Sequence, residues 1–128
     1  MLVSEVALRS MAQTVGPKAT RAFVERFVAL WPVRCERLKN SAAKGDCEAF
    51  CDAALSLKSG AAMAGAVGLA ALGEHLHEIA RDPHRDDAWD RAREAVADLE
   101  PLGTRSVAEL SAVAASVCGY APARNFRR

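Results

Sequence analysis

Aromatic residues are scarce in this chain, and so are the features that favour strands. Phe, Trp and Tyr make up only 5% of the 128 residues, although 51% of the residues are hydrophobic. Alanine and leucine dominate the apolar content, with few β-branched runs or turn clusters, which disfavours β-structure. The composition predicts an all-α protein, and 128 residues are enough for a single domain with its own core.

The chain also lacks an excess of either charge. Its 17 basic and 16 acidic residues leave a formal net charge of +1, which gives no basic footprint for nucleic acid or an anionic membrane surface. No apolar run approaches the roughly 18 residues that predict a membrane span. The first residues lack the basic, apolar and cleavage regions of a signal peptide. We therefore expect a cytoplasmic protein that binds neither nucleic acid nor membrane.

Motifs for enzymatic or metal chemistry are missing as well. No P-loop, GxSxG or HExxH pattern occurs, so we expect no enzyme activity and no cofactor. His75 and His77 point to opposite sides of a helix and cannot share a metal ion. The cysteines have no CxxC spacing and are expected to be buried, reduced thiols without a metal. They are Cys35, Cys47, Cys51 and Cys118.

Caps and breakers divide the chain into helices. Ser4 can cap a short first helix that ends near Gln13. In the next helix the apolar residues keep a period of about 3.6 residues on both sides of Pro32, which predicts a kink there rather than an end. Asp46 is a suitable cap for the helix that follows. The predicted core helices span about 17–44, 46–63, 66–81 and 86–102.

The last third of the chain is less clearly divided. The helix over 86–102 is predicted to end near Pro101. Ser106 and Glu109 then have the spacing of a capping box, which predicts either a new helix or a bent continuation to about Cys118. Residues 119–128 are predicted to be a loose tail. We find no repeat and no second domain, so residues 1–128 are interpreted as one domain.

The segment from Ala53 to Ala66 has the most specific pattern in the chain. It resembles the signature of histidine-containing phosphotransfer (HPt) domains, approximately Ala-His-x-Leu-Lys-Gly-Ser-Ala followed by Gly-Ala and a leucine-rich helix. The resemblance extends over about 15–102. The matching residues are Ala54, Leu57, Lys58, Ala61, Gly65 and Ala66, followed by Leu69, Leu72 and Leu76.

This sequence departs from the HPt pattern at three places. Leu55 occupies the position of the phosphoacceptor histidine, the Gly-Ser pair is reversed as Ser59-Gly60, and His77 stands where the family has a glutamate. The resemblance implies a histidine that accepts a phosphoryl group from an aspartyl phosphate and a lysine that offsets its charge. Leucine has no nucleophilic atom, so Leu55 cannot perform this transfer.

The helical periodicity of the motif segment predicts which way Leu55 points. A buried stripe is predicted along one face. The stripe consists of Cys47, Phe50, Ala54, Leu57, Ala61 and Ala64. Leu55 lies on the opposite face with Asp52, Ser59 and Ala62, so it should be exposed to solvent. An exposed leucine among small residues is a candidate contact for another protein, although single exposed leucines are also common without any function.

The resemblance therefore implies a four-helix bundle of HPt type with a short extra N-terminal helix and a C-terminal helical extension. It also implies a non-catalytic module of two-component signalling, a monomer that docks a response-regulator receiver domain or a histidine kinase component without phosphate transfer. The predicted partner-binding residues are Asp52, Leu55, Lys58, Ser59, Ala62, Ala70 and His77. Two alternatives remain open: an active phosphocarrier that uses His77, and a structural bundle that self-associates through alanine-rich faces.

Overall fold

A computed structural model describes residues 2–120, and its regular structure is entirely helical. No strand occurs within the described residues, which confirms the all-α prediction. The helices in chain order are α1 (Glu5–Val15), α2 (Pro17–Lys44), α3 (Cys47–Ala64), α4 (Val67–Ala80), α5 (Ala88–Val96) and α6 (Leu99–Cys118). Within residues 2–120 no helix has an apolar stretch of the length needed to cross a membrane.

Polar side chains cap the starts of α1 and α3. The side chain of Ser4 accepts a hydrogen bond from the Ala7 N–H, and that of Asp46 accepts one from the Ala49 N–H. Both caps satisfy amides that have no partner within the helix.

Helix α2 continues without a break through Pro32, so the prediction that this proline does not end the helix is confirmed.

The predicted helix over 86–102 is wrong at its C-terminal end. Ala97 and Asp98 form a turn that keeps right-handed backbone angles but interrupts the α-helix, so α5 is short, and α6 runs without interruption from Leu99. Pro101 lies in the first turn of α6, where its missing N–H would have had no helical acceptor. It is therefore compatible with a helix start and does not end the preceding helix.

The capping box predicted from Ser106 and Glu109 is also wrong. Both residues lie in the interior of α6, and Ser106 is buried. The Glu109 carboxylate has a different partner, because its Oε2 accepts hydrogen bonds from the N–H groups of Leu2 at 3.1 Å and Val3 at 2.7 Å. The glutamate thus joins α6 to the start of the described chain.

The residues before α1 lie across the turn between α3 and α4. The Ser4 N–H donates to the Gly65 carbonyl at 2.7 Å, and the Gly68 N–H donates to the Leu2 carbonyl at 3.2 Å. Val3 is buried in the core. Together with Glu109, these bonds hold residues 2–4 against three helices; we call this segment the N-terminal strap.

The core lies between α2, α3, α4 and the consecutive helices α5 and α6. Helix α2 contacts α3 on one side and α5 and α6 on the other, while α4 contacts α3, α5 and α6. The closest approach is between α3 and α4, and α1 packs mainly against α2 and α6. The largest fully buried side chains of the helices are Leu8, Leu38, Phe50, Leu57, Leu69, Leu76, Leu99 and Leu110.

Two tryptophans fill different helix junctions. Trp31 of α2 is buried against α6, and its ring occupies the space that a Cβ on Gly103 would need. Trp89 of α5 makes an edge-to-face contact with Phe50 of α3, with the ring centroids 5.6 Å apart. Such aromatic pairs add to the energy gained from burial.

The tail predicted over 119–128 is described only at its first two residues. Gly119 ends α6 in a left-handed conformation with a φ of 74°. Tyr120 packs against the core, and the Arg21 guanidinium lies 4.1 Å from its ring centroid. The remainder of the predicted tail, 121–128, lies outside the described residues.

Candidate functional site

Helix α3 presents two faces of opposite character. Along the inward face Phe50, Ala54, Leu57, Ala61 and Ala64 are buried, and Cys47 is half-buried. On the outward face the side chain of Leu55 is 44% exposed, and Asp52, Ser59 and Ala62 are exposed beside it. The predicted orientation of Leu55 is confirmed, because the buried stripe determines the rotation of the helix.

Lys58 forms an ion pair with a residue of the neighbouring helix. Its Nζ lies 2.6 Å from Oε2 of Glu74 in α4, and both side chains are partly exposed. The hydrogen bond from the lysine lowers the pKa of the Glu74 carboxyl, although partial desolvation acts in the opposite direction. A lysine that faces a carboxylate in this way has little charge to offer to a second anion.

A glycine makes this ion pair possible. A Cβ on Gly73 would lie 2.7 Å from the backbone nitrogen of Lys58 and 2.8 Å from its Cα. The side chain of any other residue would therefore push α3 and α4 apart. Because Gly73 stands directly against Lys58, the next residue, Glu74, is within reach of the lysine ammonium.

Glu74 belongs to the candidate site but was absent from the set predicted from sequence. It follows Ala70 by four residues and precedes His77 by three, so the three residues share one flank of α4. That spacing could have indicated Glu74, but its contact with Lys58 depends on how α3 and α4 are aligned. The structure thus joins the α3 and α4 parts of the site through Lys58, Gly73 and Glu74.

His77 offers only part of its imidazole to solvent. The residue is half-buried, and its Nδ1 is buried without a hydrogen-bond partner among the described residues. His75 is exposed on the other side of α4. There it lines a groove of about 220 Å³ together with residues of α5, including Arg91 and Glu94. The two histidines are therefore separated, as their spacing predicts.

Within residues 2–120, no group of three His, Cys, Asp or Glu side chains could hold a metal ion. All four cysteines are free thiols, but only Cys35 is buried and the other three are half-buried, so the prediction that all four are buried is wrong. Burial raises the pKa of the Cys35 thiol. The outward face of α3 thus has the exposed Leu55 side chain, and beside it Lys58 paired with Glu74. Leu55 itself has no nucleophilic atom.

Comparisons with protein-family models, with curated proteins and with solved structures found no match for this chain. The candidate site is defined by the residues of α3 and α4 and by the contacts between them.

Proposed function

We propose that this chain is a non-catalytic binding module of two-component signalling, a pseudo-HPt domain that docks a response-regulator receiver domain without exchanging phosphate. The observation that carries the proposal is Leu55, whose side chain is 44% exposed at the position that the HPt pattern gives to the phosphoacceptor. A surface that keeps an exposed side chain there, but replaces the reactive nitrogen with carbon, can contact a partner without accepting a phosphoryl group.

The arrangement of the helices supports an HPt type of bundle. Helices α2, α3 and α4 would be three of its members, and α5 with the first part of α6 would form the fourth. In this interpretation α1 is the extra N-terminal helix, and the remainder of α6 is the C-terminal extension. The module would act as a monomer in the cytoplasm.

The chemistry of the face favours docking over transfer. In HPt domains the lysine offsets the charge of the phosphohistidine, whereas here Lys58 is paired with Glu74. The proposed contact has Leu55, Ala62 and Ala70 at its centre. The residues around it are Asp52, Lys58, Ser59, Glu74 and His77. An interface of this size is typical of weak and transient complexes.

Binding to purified receiver domains tests the proposal. Leu55→Asp places a charge at the centre of the contact and should weaken binding at least about tenfold, because a desolvated unpaired charge costs more than 1.4 kcal/mol. The matched control is Val15→Asp, which makes the same change in charge at an exposed valine of α1. Isothermal titration calorimetry should show equal affinities for this control and the wild type. An equal loss of affinity in both variants, or no loss in either, would contradict the assignment of this face as the receiver-binding surface.

A phosphotransfer assay separates docking from the phosphocarrier alternative. The full chain is incubated with receivers that carry a labelled aspartyl phosphate, and we expect no label on the chain. Acid-labile, base-stable label that disappears in His77→Ala would show that the chain is a phosphocarrier. Concentration-dependent mass in light scattering, together with no affinity for any receiver, would instead favour the self-associating bundle.

A further inference from the structure

Three arginines that are not part of the proposed receiver contact lie along one flank of α2. Arg26, Arg34 and Arg37 are separated by eight and three residues, which places them within about 80° of one another around the helix axis. Arg26 and Arg37 are exposed, and Arg34 is half-buried. Val33 lies on the same flank with 56% of its side chain exposed. We call these four residues the basic flank.

The position of Arg34 is set by packing rather than by an acidic partner. Its guanidinium carbon lies 5.5 Å from the ring centroid of Phe27. Its Nη1 also occupies the space beside Gly60 of α3, where a Cβ would lie only 2.7 Å away. Burial lowers the pKa of Arg34, and the nearby charges of Arg26 and Arg37 lower it further. The three cations are thus close enough to repel one another.

Within residues 2–120, none of the three arginines forms an ion pair. The described ion pairs use other cations, namely Arg9, Arg21, Lys39, Lys58, Arg85 and Arg93. Asp46, the cap of α3, lines a groove of about 170 Å³ with Arg37 and Lys44. Its Oδ1 accepts a hydrogen bond from the Ala49 N–H as the cap of α3. The three arginines of the basic flank thus have no ion-pair partner among the described residues.

We propose that the basic flank is a second protein-docking surface, which binds an acidic helical segment of a partner protein. Carboxylates of that segment would meet the arginines, whose planar guanidinium groups match carboxylate geometry. An apolar side chain between the carboxylates would cover Val33. The flank from Arg26 to Arg37 is about 16 Å long, which corresponds to about three turns of such a helix.

This chain is a poor source of the acidic segment. Near α5, Asp87 pairs with Arg85, and Asp90 pairs with Arg93. The sequence over 121–128 contains three arginines and no Asp or Glu. Nucleic acid fits less well than a protein, because the flank offers only three cations around an exposed valine, whereas tight phosphate-backbone binding uses about six to ten contacts.

Nuclear magnetic resonance of the isotope-labelled full chain locates the binding. The probe is a helical peptide of about 18 residues with three glutamates and a leucine spaced to match the basic flank. The control peptide has glutamine at each glutamate. We expect the glutamate peptide to shift the amide signals of Val33, Arg34 and Gly60, and the shifts to decrease at high salt. Equal shifts with the glutamine peptide, or shifts centred on Leu55, would overturn the proposal.

Two double variants test the arginines themselves. Arg26→Gln with Arg37→Gln should weaken binding of the glutamate peptide at least about fivefold. The matched control, Arg81→Gln with Arg105→Gln, should retain the wild-type affinity. It removes the same charge from two exposed arginines, at the C-cap of α4 and in α6, that form no ion pair among the described residues. Equal weakening in both double variants would overturn the proposal. So would tighter binding of duplex DNA through Arg26 and Arg37.

Discussion

Replacing Leu55 with histidine tests which residues prevent this surface from accepting a phosphoryl group. Leu55→His restores an imidazole on the exposed face, but Lys58 stays paired with Glu74 and is not free to offset a phosphoryl charge. We expect little or no label from a phosphorylated receiver on this variant. In Leu55→His with Glu74→Gln the lysine is released, and labelling should rise. Equal labelling of the two variants would show that Glu74 does not limit the site.

The ion pair between Lys58 and Glu74 should make stability depend on pH. Because the pKa of Glu74 is lowered in the folded state, its contribution to stability is fully present above the ordinary glutamate pKa of about 4.3. The contribution is lost as pH falls through the lowered folded value. Urea unfolding between neutral and acidic pH should show this loss in the wild type and not in Glu74→Gln. Parallel pH profiles would contradict the expectation. The lost energy should be small because both groups are partly exposed.

Residue orientation could be predicted from sequence where one helix alone determines it. The stripe of Ala54 and Leu57 establishes the rotation of α3 and thereby exposes Leu55. The partner of Lys58 could not be predicted, because it depends on the alignment of two helices at Gly73. The placement of Arg34 against Gly60 is a further contact between helices that periodicity does not reveal.

At the scale of elements, the contact between α3 and α4 depends on Gly73. Gly73→Ala would place a Cβ against the backbone of Lys58, which cannot move independently of α3. We expect a net loss of about 1–2 kcal/mol in unfolding free energy, because overpacking exceeds the gain in helix propensity. Gly60→Ala is the control: its Cβ meets only the flexible end of Arg34, and it gains the same propensity. Equal changes in unfolding free energy for the two variants, measured with urea, would contradict this expectation.

One carboxylate binds two backbone N–H groups of the N-terminal strap. Glu109→Ala removes the acceptor for the N–H groups of Leu2 and Val3. Hydrogen bonds to charged groups contribute about 1.5–3 kcal/mol each when formed, so we expect faster amide exchange at Val3 and a loss of at least about 1 kcal/mol in stability. The control is Glu78→Ala, at an exposed glutamate of α4. Unchanged exchange at Val3 in the Glu109 variant would show that the strap is held by other contacts.

The first four helices and most of their boundaries could be predicted from local chemistry, but the junction of α5 and α6 could not. Proline is compatible both with the first turn of a helix and with the position after its end, so Pro101 alone does not distinguish the two. A Ser-x-x-Glu pattern also occurs inside helices. At Glu109 the partner lies 106 residues away in sequence, and no local rule detects such a contact.

Although the whole molecule has a net charge of only +1, its charged side chains are unevenly distributed over the surface. Most charged pairs form within helices or between neighbouring ones, and this leaves the basic flank of α2 without a partner among the described residues. Sequence composition correctly gives the small total charge, but it cannot show which cations are left over after folding.

The two proposed surfaces should act independently. Leu55→Asp should leave binding of the glutamate peptide unchanged, and Arg26→Gln with Arg37→Gln should leave receiver binding unchanged, because the two surfaces have no residue in common and independent sites usually contribute additively. Competition experiments with peptide and receiver present together measure this directly. Mutual exclusion would indicate that both ligands occupy one overlapping surface.

The placement of the two tryptophans has a practical consequence for spectroscopy. Trp31 is shielded between α2 and α6, while Trp89 rests on Phe50 at the junction of α5 and α3. Trp89→Phe would leave a single indole whose emission wavelength reports on solvent entry between α2 and α6. Trp31→Phe would leave a single indole that reports on detachment of α5 from α3. The two fluorescence signals therefore show which of these helix contacts opens first during unfolding.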